Sequence, residues 1–152
     1  MLDYIDEAFK GPSWHGPTLL GSLRGVTAKR AAWRPAPGRH NIHEIVLHAA
    51  YWKYVVRRRL TGEKRGRFPL KGSNWFAASP QRRPWDDDVK LLVEQHARLR
   101  DAVRKLPRGR LRAIVAHGRD TGAYTIRGIA AHDLYHAGQI QLLKRLMPKR
   151  NS

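Results

Sequence analysis

The segment that decides the fold reads His-Asp-Leu-Tyr-His-Ala-Gly-Gln-Ile and spans residues 132–140. Its two histidines, His132 and His136, are four residues apart, so on an α-helix they lie one turn apart on the same face. At about 100° per residue, apolar side chains continue that face on both sides of the pair. The face consists of Ile129, His132, His136, Ile140, Leu143 and Met147. Two imidazoles within an apolar stripe indicate either two separate hydrogen-bond partners or one shared cation.

The composition is that of one globular protein, and we expect a single domain over residues 1–152. Lysine plus arginine exceed aspartate plus glutamate by 18, which favours anionic partners without selecting among nucleic acid, acidic membrane and small anions. Cysteine is absent, which excludes disulfides, thiolate metal sites and cysteine nucleophiles. With neither a signal peptide nor an apolar run of about 20 residues, the sequence predicts a cytoplasmic protein without a membrane span.

Apolar periodicity and helix punctuation predict an all-α fold, a four-helix bundle. Pro17 suits the first turn of one helix, Asn41 caps the next, and Thr125 caps the last. The predicted elements are a short helix over 2–9, long helices over 17–30, 41–60, 86–106 and 125–147, and a short strand over 111–116. The connection over 61–85 is long enough to return along the bundle, which would leave the second and third long helices parallel. A connection of this length often covers a site.

A third imidazole for the pair is predicted on the second long helix. His48 lies beside the apolar stripe of that helix, one turn after Ile45 and four residues before Trp52. Helix bundles build metal sites from facing helices, and an i, i+4 pair donates two ligands without distorting the backbone. Imidazole suits Zn, Ni, Cu and Fe(II), and three such ligands leave positions for water or substrate. His48, His132 and His136 are therefore the predicted ligands of a divalent metal ion.

Structural roles compete with the functional ones. A single histidine on an apolar stripe is more often a hydrogen-bonded core residue than a ligand, and for His96 that interpretation comes ahead of a general base. Asp133 can orient a ligand imidazole through its second nitrogen or lie at the surface, and the residues leave both open. Tyr135 is assigned to packing. His40 and His43, near a helix start, are predicted to be solvated.

Three parts of the chain resemble the DinB-like (DinB/YfiT) family of metal-binding four-helix bundles. They are residues 14–17 (Trp-His-Gly-Pro), residues 33–38 (Trp-Arg-Pro-Ala-Pro-Gly) through 43–48 (His-Glu-Ile-Val-Leu-His), and residues 132–140. The resemblance implies an up-down-down-up bundle, often a homodimer, with zinc or nickel on His48, His132 and His136. It also matches Gly138 to a family glycine after the paired ligands, where a missing side chain allows close backbone approach.

The resemblance also implies a class of reaction. Named activities in the family are thiol transferases and isomerases that use low-molecular-weight thiols, and many members are described as metal-dependent hydrolases. The first expectation is thus a thiol S-transferase or hydrolase with a small-molecule substrate, in which the metal activates a thiol or water and His96 and Asp133 are candidate catalytic residues. The alternatives are a nucleic-acid-binding protein, supported by the charge but by no readout motif, and a bundle that binds metal or ligand without chemistry.

Overall fold

The computed structural model describes residues 1–64, 66, 68–77 and 83–148, and its regular elements are helices. The α-helices in chain order are α1 (Leu2–Phe9), α2 (Leu19–Ser22), α3 (Ala28–Ala32), α4 (Ile42–Thr61), α5 (Trp85–Lys105) and α6 (Gly122–Leu146). A 3₁₀ turn, Arg108–Leu111, lies between α5 and α6. In the described residues the only strand-like pairing is one bridge between Ile114 and Thr121, so the strand predicted over 111–116 is wrong. The all-α class is confirmed.

The first predicted long helix is broken, so the prediction of one helix over 17–30 is wrong. Gly25 has a φ of 73°, a left-handed conformation that cannot continue a helix. Thr27 then starts α3, and its hydroxyl accepts a hydrogen bond from the backbone N–H of Arg30 at 3.4 Å. The apolar pattern still marks burial correctly, because Leu19 and Val26 are both in the core. Sequence periodicity thus identified the inward side chains but not the turn that separates them.

Helix α4 begins and ends where the sequence predicts. The side chain of Asn41 accepts a hydrogen bond from the backbone N–H of Glu44 at 2.8 Å, which is the predicted cap. The carboxylate of Glu44 does not complete a capping box, because it pairs with the guanidinium of Arg34. Gly62 has a φ of 75° and ends the helix.

Helix α6 begins earlier than predicted. Its cap is Thr121, whose hydroxyl accepts from the backbone N–H of Tyr124 at 3.3 Å, so the cap predicted at Thr125 is wrong. The hydroxyl of Thr125 instead donates to the carbonyl of Thr121 inside the helix, at 2.9 Å. The first helical residue must be small, since a Cβ on Gly122 would lie 2.5 Å from the carbonyl oxygen of Arg110.

Helices α4 and α5 run in the same direction. Near their starts, His43 of α4 contacts Asp88 of α5 through its Nε2 atom. Near their ends, Arg57 of α4 and Asp101 of α5 line the same cavity. This is the relation expected when a long connection returns the chain to the starting end of the first helix.

Helix α6 runs antiparallel to α4. The ring of His48, early in α4, lies 4.9 Å from that of His136, in the second half of α6. Val56, later in α4, shares a cavity with Ile129, in the first half of α6.

In the part of the chain that the structure describes, no helix is both long and apolar enough to cross a membrane.

The first half of α4 is buried on every side. All residues over 42–50 are buried, including His43, which is only 1% exposed, so the prediction that His43 is solvated is wrong. Other segments cover the helix all round, and it has no solvated face over that length. On α5, Val93 is 41% exposed, whereas Leu91 is buried.

Candidate metal centre

Three imidazoles meet between α4 and α6. The Nε2 atoms of His48 and His136 each lie 3.1 Å from Nε2 of His132. One nitrogen from each ring falls within 4.8 Å of the others, and among the described residues this is the group of side chains that could together hold a metal ion. His48 and His136 are buried, and His132 is half-buried. The three residues singled out in the sequence are therefore brought together.

Hydrogen bonds at the far side of two rings decide which nitrogen carries the proton. Nδ1 of His48 donates to the carbonyl oxygen of Asn74 at 2.9 Å, and Nδ1 of His136 donates to Oε1 of Gln139 at 2.7 Å. In a neutral ring, a protonated Nδ1 leaves a lone pair on Nε2. The lone pairs of His48 and His136 therefore point at the place where the Nε2 atom of His132 also lies. A proton on Nε2 of His132 can satisfy only one of these two lone pairs, so the arrangement favours a shared cation.

The spacing fits a metal ion. Nitrogen ligands held about 2.1 Å from one ion lie about 3.0–3.4 Å apart at octahedral to tetrahedral angles. The separations of 3.1 Å from His132 to His48 and to His136 fall in that range, and one nitrogen from each ring lies within 4.8 Å of the others. Carbonyl and amide oxygens on the outer nitrogens fix the tautomer, as they do around metal-bound histidines. The donor set of three neutral imidazoles suits zinc and other first-row divalent ions.

The three rings are uncharged at neutral pH. Burial lowers the pKa of His132 to about 3 and that of His136 to about 4, and the hydrogen bond to Gln139 opposes the shift of His136. Burial also lowers the pKa of His48, and its hydrogen bond to Asn74 opposes that shift. Neutral imidazole is the form that binds metals, so no proton has to leave before an ion enters.

The connection between α4 and α5 covers one side of the cluster, as its length suggested. The indole of Trp75 stacks on the ring of His48 at 3.9 Å and on the ring of His40 at 3.6 Å. Asn74 has a φ of 64°, and its side-chain oxygen accepts a hydrogen bond from the indole N–H of Trp52 at 2.9 Å. Neither Asn74 nor Trp75 was predicted to be part of the site, because loop residues carry no periodicity. His40 is stacked and paired with Glu44, not simply solvated.

His96 lies outside the three-histidine cluster. Its ring stacks on Phe9 with centroids 3.8 Å apart, and its Nε2 atom is 3.5 Å from a carboxylate oxygen of Asp6. Burial, reinforced by the charge of Lys53, lowers the pKa of His96 to about 3. The side chain is 3% exposed and is a core residue of α5. Its contacts agree with the structural interpretation of the sequence, and a catalytic role for it stays a prediction.

Asp133 takes neither of the two positions that the sequence left open. It is fully buried, not at the surface, and its carboxylate pairs with the ammonium of Lys53 on α4. Among the described residues it makes no hydrogen bond to an imidazole, and its Oδ1 atom has no partner. Burial raises the pKa of Asp133, and the pairing with Lys53 opposes that rise. The signal for Lys53 was its place in the apolar register of α4, four residues after Ala49 and three before Val56.

Gly138 does not have the role that the resemblance implied. A Cβ built on it meets nothing within 4 Å, and the residue is exposed on α6. No backbone approaches it closely among the described residues. The structure therefore gives no packing reason for a glycine at this position.

The helical fold and the three-histidine cluster between two antiparallel helices place this protein in the class of candidate metal-binding helical proteins. The sequence profile of the DinB superfamily matches residues 14–140, which is most of the chain and includes all three histidines. The chain belongs to the DinB superfamily. Comparison with curated proteins and with solved structures finds no match.

Proposed function

We propose that the protein is a metal-dependent enzyme whose divalent ion is held by His48, His132 and His136. The observation that carries this proposal is the convergence of three Nε2 atoms, two of which have their lone pairs fixed by hydrogen bonds on Nδ1. An ion at this place would supply a Lewis acid that lowers the pKa of a bound thiol or water. Zinc and nickel are the proposed metals, because both accept imidazole ligands.

The protein's own residues would orient the ligands and restrict water. Asn74 and Gln139 hold two imidazoles in the tautomer that ligates, and the stacked indole of Trp75 covers one of them. His132 is the half-buried member and lines a cavity, so access to the cluster is proposed on its side. This arrangement supports attack of an activated thiol or water on a small electrophile, which makes a thiol S-transferase or a hydrolase the proposed activity.

His96 and Asp133 were the candidate catalytic residues. Their contacts, with Phe9 and Asp6 for the first and with Lys53 for the second, favour positioning over proton transfer. We propose that Asp133 acts through Lys53, since the pair joins the two helices that carry the imidazoles. A mutation of Asp133 should therefore change metal affinity and stability together, whereas a mutation of His96 should change stability.

Further parts of the proposal concern assembly and location. The parallel α4 and α5 and the antiparallel α6 are compatible with an up-down-down-up bundle, in which the N-terminal segment with α1 provides the remaining helix. The family resemblance supports a homodimer, and the absence of cysteine supports a cytoplasmic location. Sedimentation analysis of the purified protein tests the dimer.

A second candidate function is nucleic-acid binding, which the net charge of +18 favours. In that case the metal would be structural. The two functions are separable because electrostatic binding to DNA survives removal of the metal, whereas the proposed reaction does not.

The test of the proposed function is a screen of low-molecular-weight thiols with a generic electrophile, run on metal-loaded and chelator-stripped protein, with simple esters as a hydrolase arm. Turnover that disappears on stripping and returns with zinc or nickel supports an enzyme. The His48→Ala variant is the matched control, since it loses one ligand but keeps the surface charge at neutral pH. Metal binding without turnover in either arm would leave a bundle that binds metal without chemistry.

A further inference from the structure

A small cavity opens next to His132, the half-buried member of the cluster. It has a volume of about 170 Å³, roughly that of six water molecules in the liquid. Trp52 and Val56 of α4 form one wall, and Tyr124 and Gly128 of α6 form another. Such a space admits a small molecule.

One end of this cavity carries a cation. The guanidinium of Arg59 lies 5.9 Å from the ring of Trp52, and that ring is in turn 6.4 Å from the ring of His132. Among the described residues, the Arg59 side chain makes no ion pair. Arg59, a half-buried residue, is therefore linked through the ring of Trp52 to His132, one of the three candidate metal ligands. A guanidinium with free donors binds carboxylate and phosphate groups through paired hydrogen bonds.

Hydrogen bonds hold the α4 side of the cavity in place. The carbonyl oxygen of Arg59 accepts a hydrogen bond from the N–H of Ala116 at 3.0 Å, which ties the segment before α6 to the end of α4. Trp52 is fixed by its hydrogen bond to Asn74. The cavity also has an acidic group at its rim, Asp120, which is exposed and makes no ion pair in the described part of the chain.

Glycine at position 128 keeps the cavity open. A Cβ built on Gly128 meets nothing within 4 Å, and the residue lies one helical turn before His132 on the same face. Glycine is a poor helix former, so its presence in the middle of α6 has no local advantage. A larger side chain there would project into the space between Trp52 and Tyr124.

We propose that this cavity is the substrate subsite and that it takes a small organic anion. The carboxylate or phosphate of that molecule binds Arg59, its apolar body lies between Trp52 and Tyr124, and its reactive end points toward His132. The part of this inference that places the reactive end of the molecule near His132 rests on the proposed function. Binding of the anion to Arg59 can be tested without metal.

The probes are benzoate, uncharged benzamide and phenyl phosphate, titrated into ¹⁵N-labelled protein while the indole N–H resonance of Trp52 is followed. We expect benzoate or phenyl phosphate, but not benzamide, to shift that resonance in stripped and in zinc-loaded protein. Comparing the affinities of benzoate and phenyl phosphate shows whether the subsite prefers a carboxylate or a phosphate. Benzamide binding as tightly as both anions overturns the proposal.

Variants separate the cavity from the metal. Arg59→Met should weaken anion binding about tenfold, in line with the loss of a charge-assisted hydrogen bond. Asp120→Asn should leave affinity unchanged or raise it, because it removes a negative charge. Gly128→Leu should abolish binding, and Gly138→Leu, at an equally open glycine on α6 that does not line the cavity, should not.

Unchanged anion affinity in both Arg59→Met and Gly128→Leu overturns the subsite, even if the protein holds metal and turns over a thiol. Anion binding that depends on Arg59 in a protein that takes up no metal supports the subsite and instead refutes the proposed metal enzyme. Thermal unfolding of each variant excludes loss of fold as the cause. The two proposals therefore fail in different experiments.

Discussion

Replacing Lys53 tests how α4 and α6 are held together. Its ammonium pairs with the carboxylate of Asp133, and both side chains are 1% exposed. Burial lowers the pKa of Lys53 and raises that of Asp133, because it disfavours the charged form of each group. The charge of each partner opposes that shift in the other. Lys53 follows His48 by five residues and Asp133 follows His132 by one, so the pair fixes the register of the helices that carry the imidazoles.

The variant Lys53→Met leaves a buried carboxyl group without its donor. Removing one partner of a buried ion pair typically costs about 3–5 kcal/mol, and a domain has about 5–15 kcal/mol in total. We therefore expect the free energy of unfolding to fall by about 3 kcal/mol or more. Replacing both partners by Lys53→Met with Asp133→Leu removes the unpaired group, and should return stability to within about 1–2 kcal/mol of the original protein.

Urea unfolding of metal-free protein measures both changes, as a double-mutant cycle. The matched control is Lys90→Met on α5, where the side chain is 79% exposed and the expected change is within about 0.5 kcal/mol. A loss below about 1 kcal/mol in Lys53→Met, or a double variant as unstable as the sum of the single ones, would refute the argument from burial.

The other predictions need simpler measurements. His48→Ala should lower bound zinc or nickel well below one ion per chain, and undiminished metal by elemental analysis would remove the site. Because the pKa of His96 is lowered to about 3, the unfolded chain takes up a proton near pH 6.5 that the folded chain does not. Stability should therefore fall as the pH drops from about 6.5 toward 3, by at most about 1.4 kcal/mol per pH unit from this ring, and His96→Gln should flatten that slope. Thr121→Ala should cost about 1 kcal/mol in thermal unfolding, and no change would contradict the cap on α6. If DNA binding is physiological, affinity should survive chelation and fall steeply with salt, and no binding at about 0.15 M salt would remove that function.

The three-histidine cluster was predictable because it follows from helix periodicity. The spacing of His132 and His136 puts both on one face, and the stripe around them puts that face in the core. His48 needed a second helix and was found by the same argument. The proximity of the three rings could be predicted because each histidine lies on a regular element whose geometry is known in advance.

Periodicity failed where a helix has no solvated side. His43 lies opposite the apolar stripe of α4 and was predicted to face water, yet other segments cover that side as well. Lys53 was missed for a related reason, because a charged residue is expected to be solvated unless its partner is known, and Asp133 is 80 residues away. The position of Trp75 depends on where an irregular segment folds back, which no periodicity in the sequence specifies.

Trp75 gives the protein a built-in optical probe. Its indole is stacked on two imidazoles, and one of them belongs to His48. Indole emission responds to the electronic state of a ring in direct contact, so an ion captured by His48 would change the fluorescence of the unlabelled protein. Loading could then be followed in real time, and Trp75→Phe would show how much of the signal comes from this indole and how much from Trp52, whose ring lies 6.3 Å from that of His48.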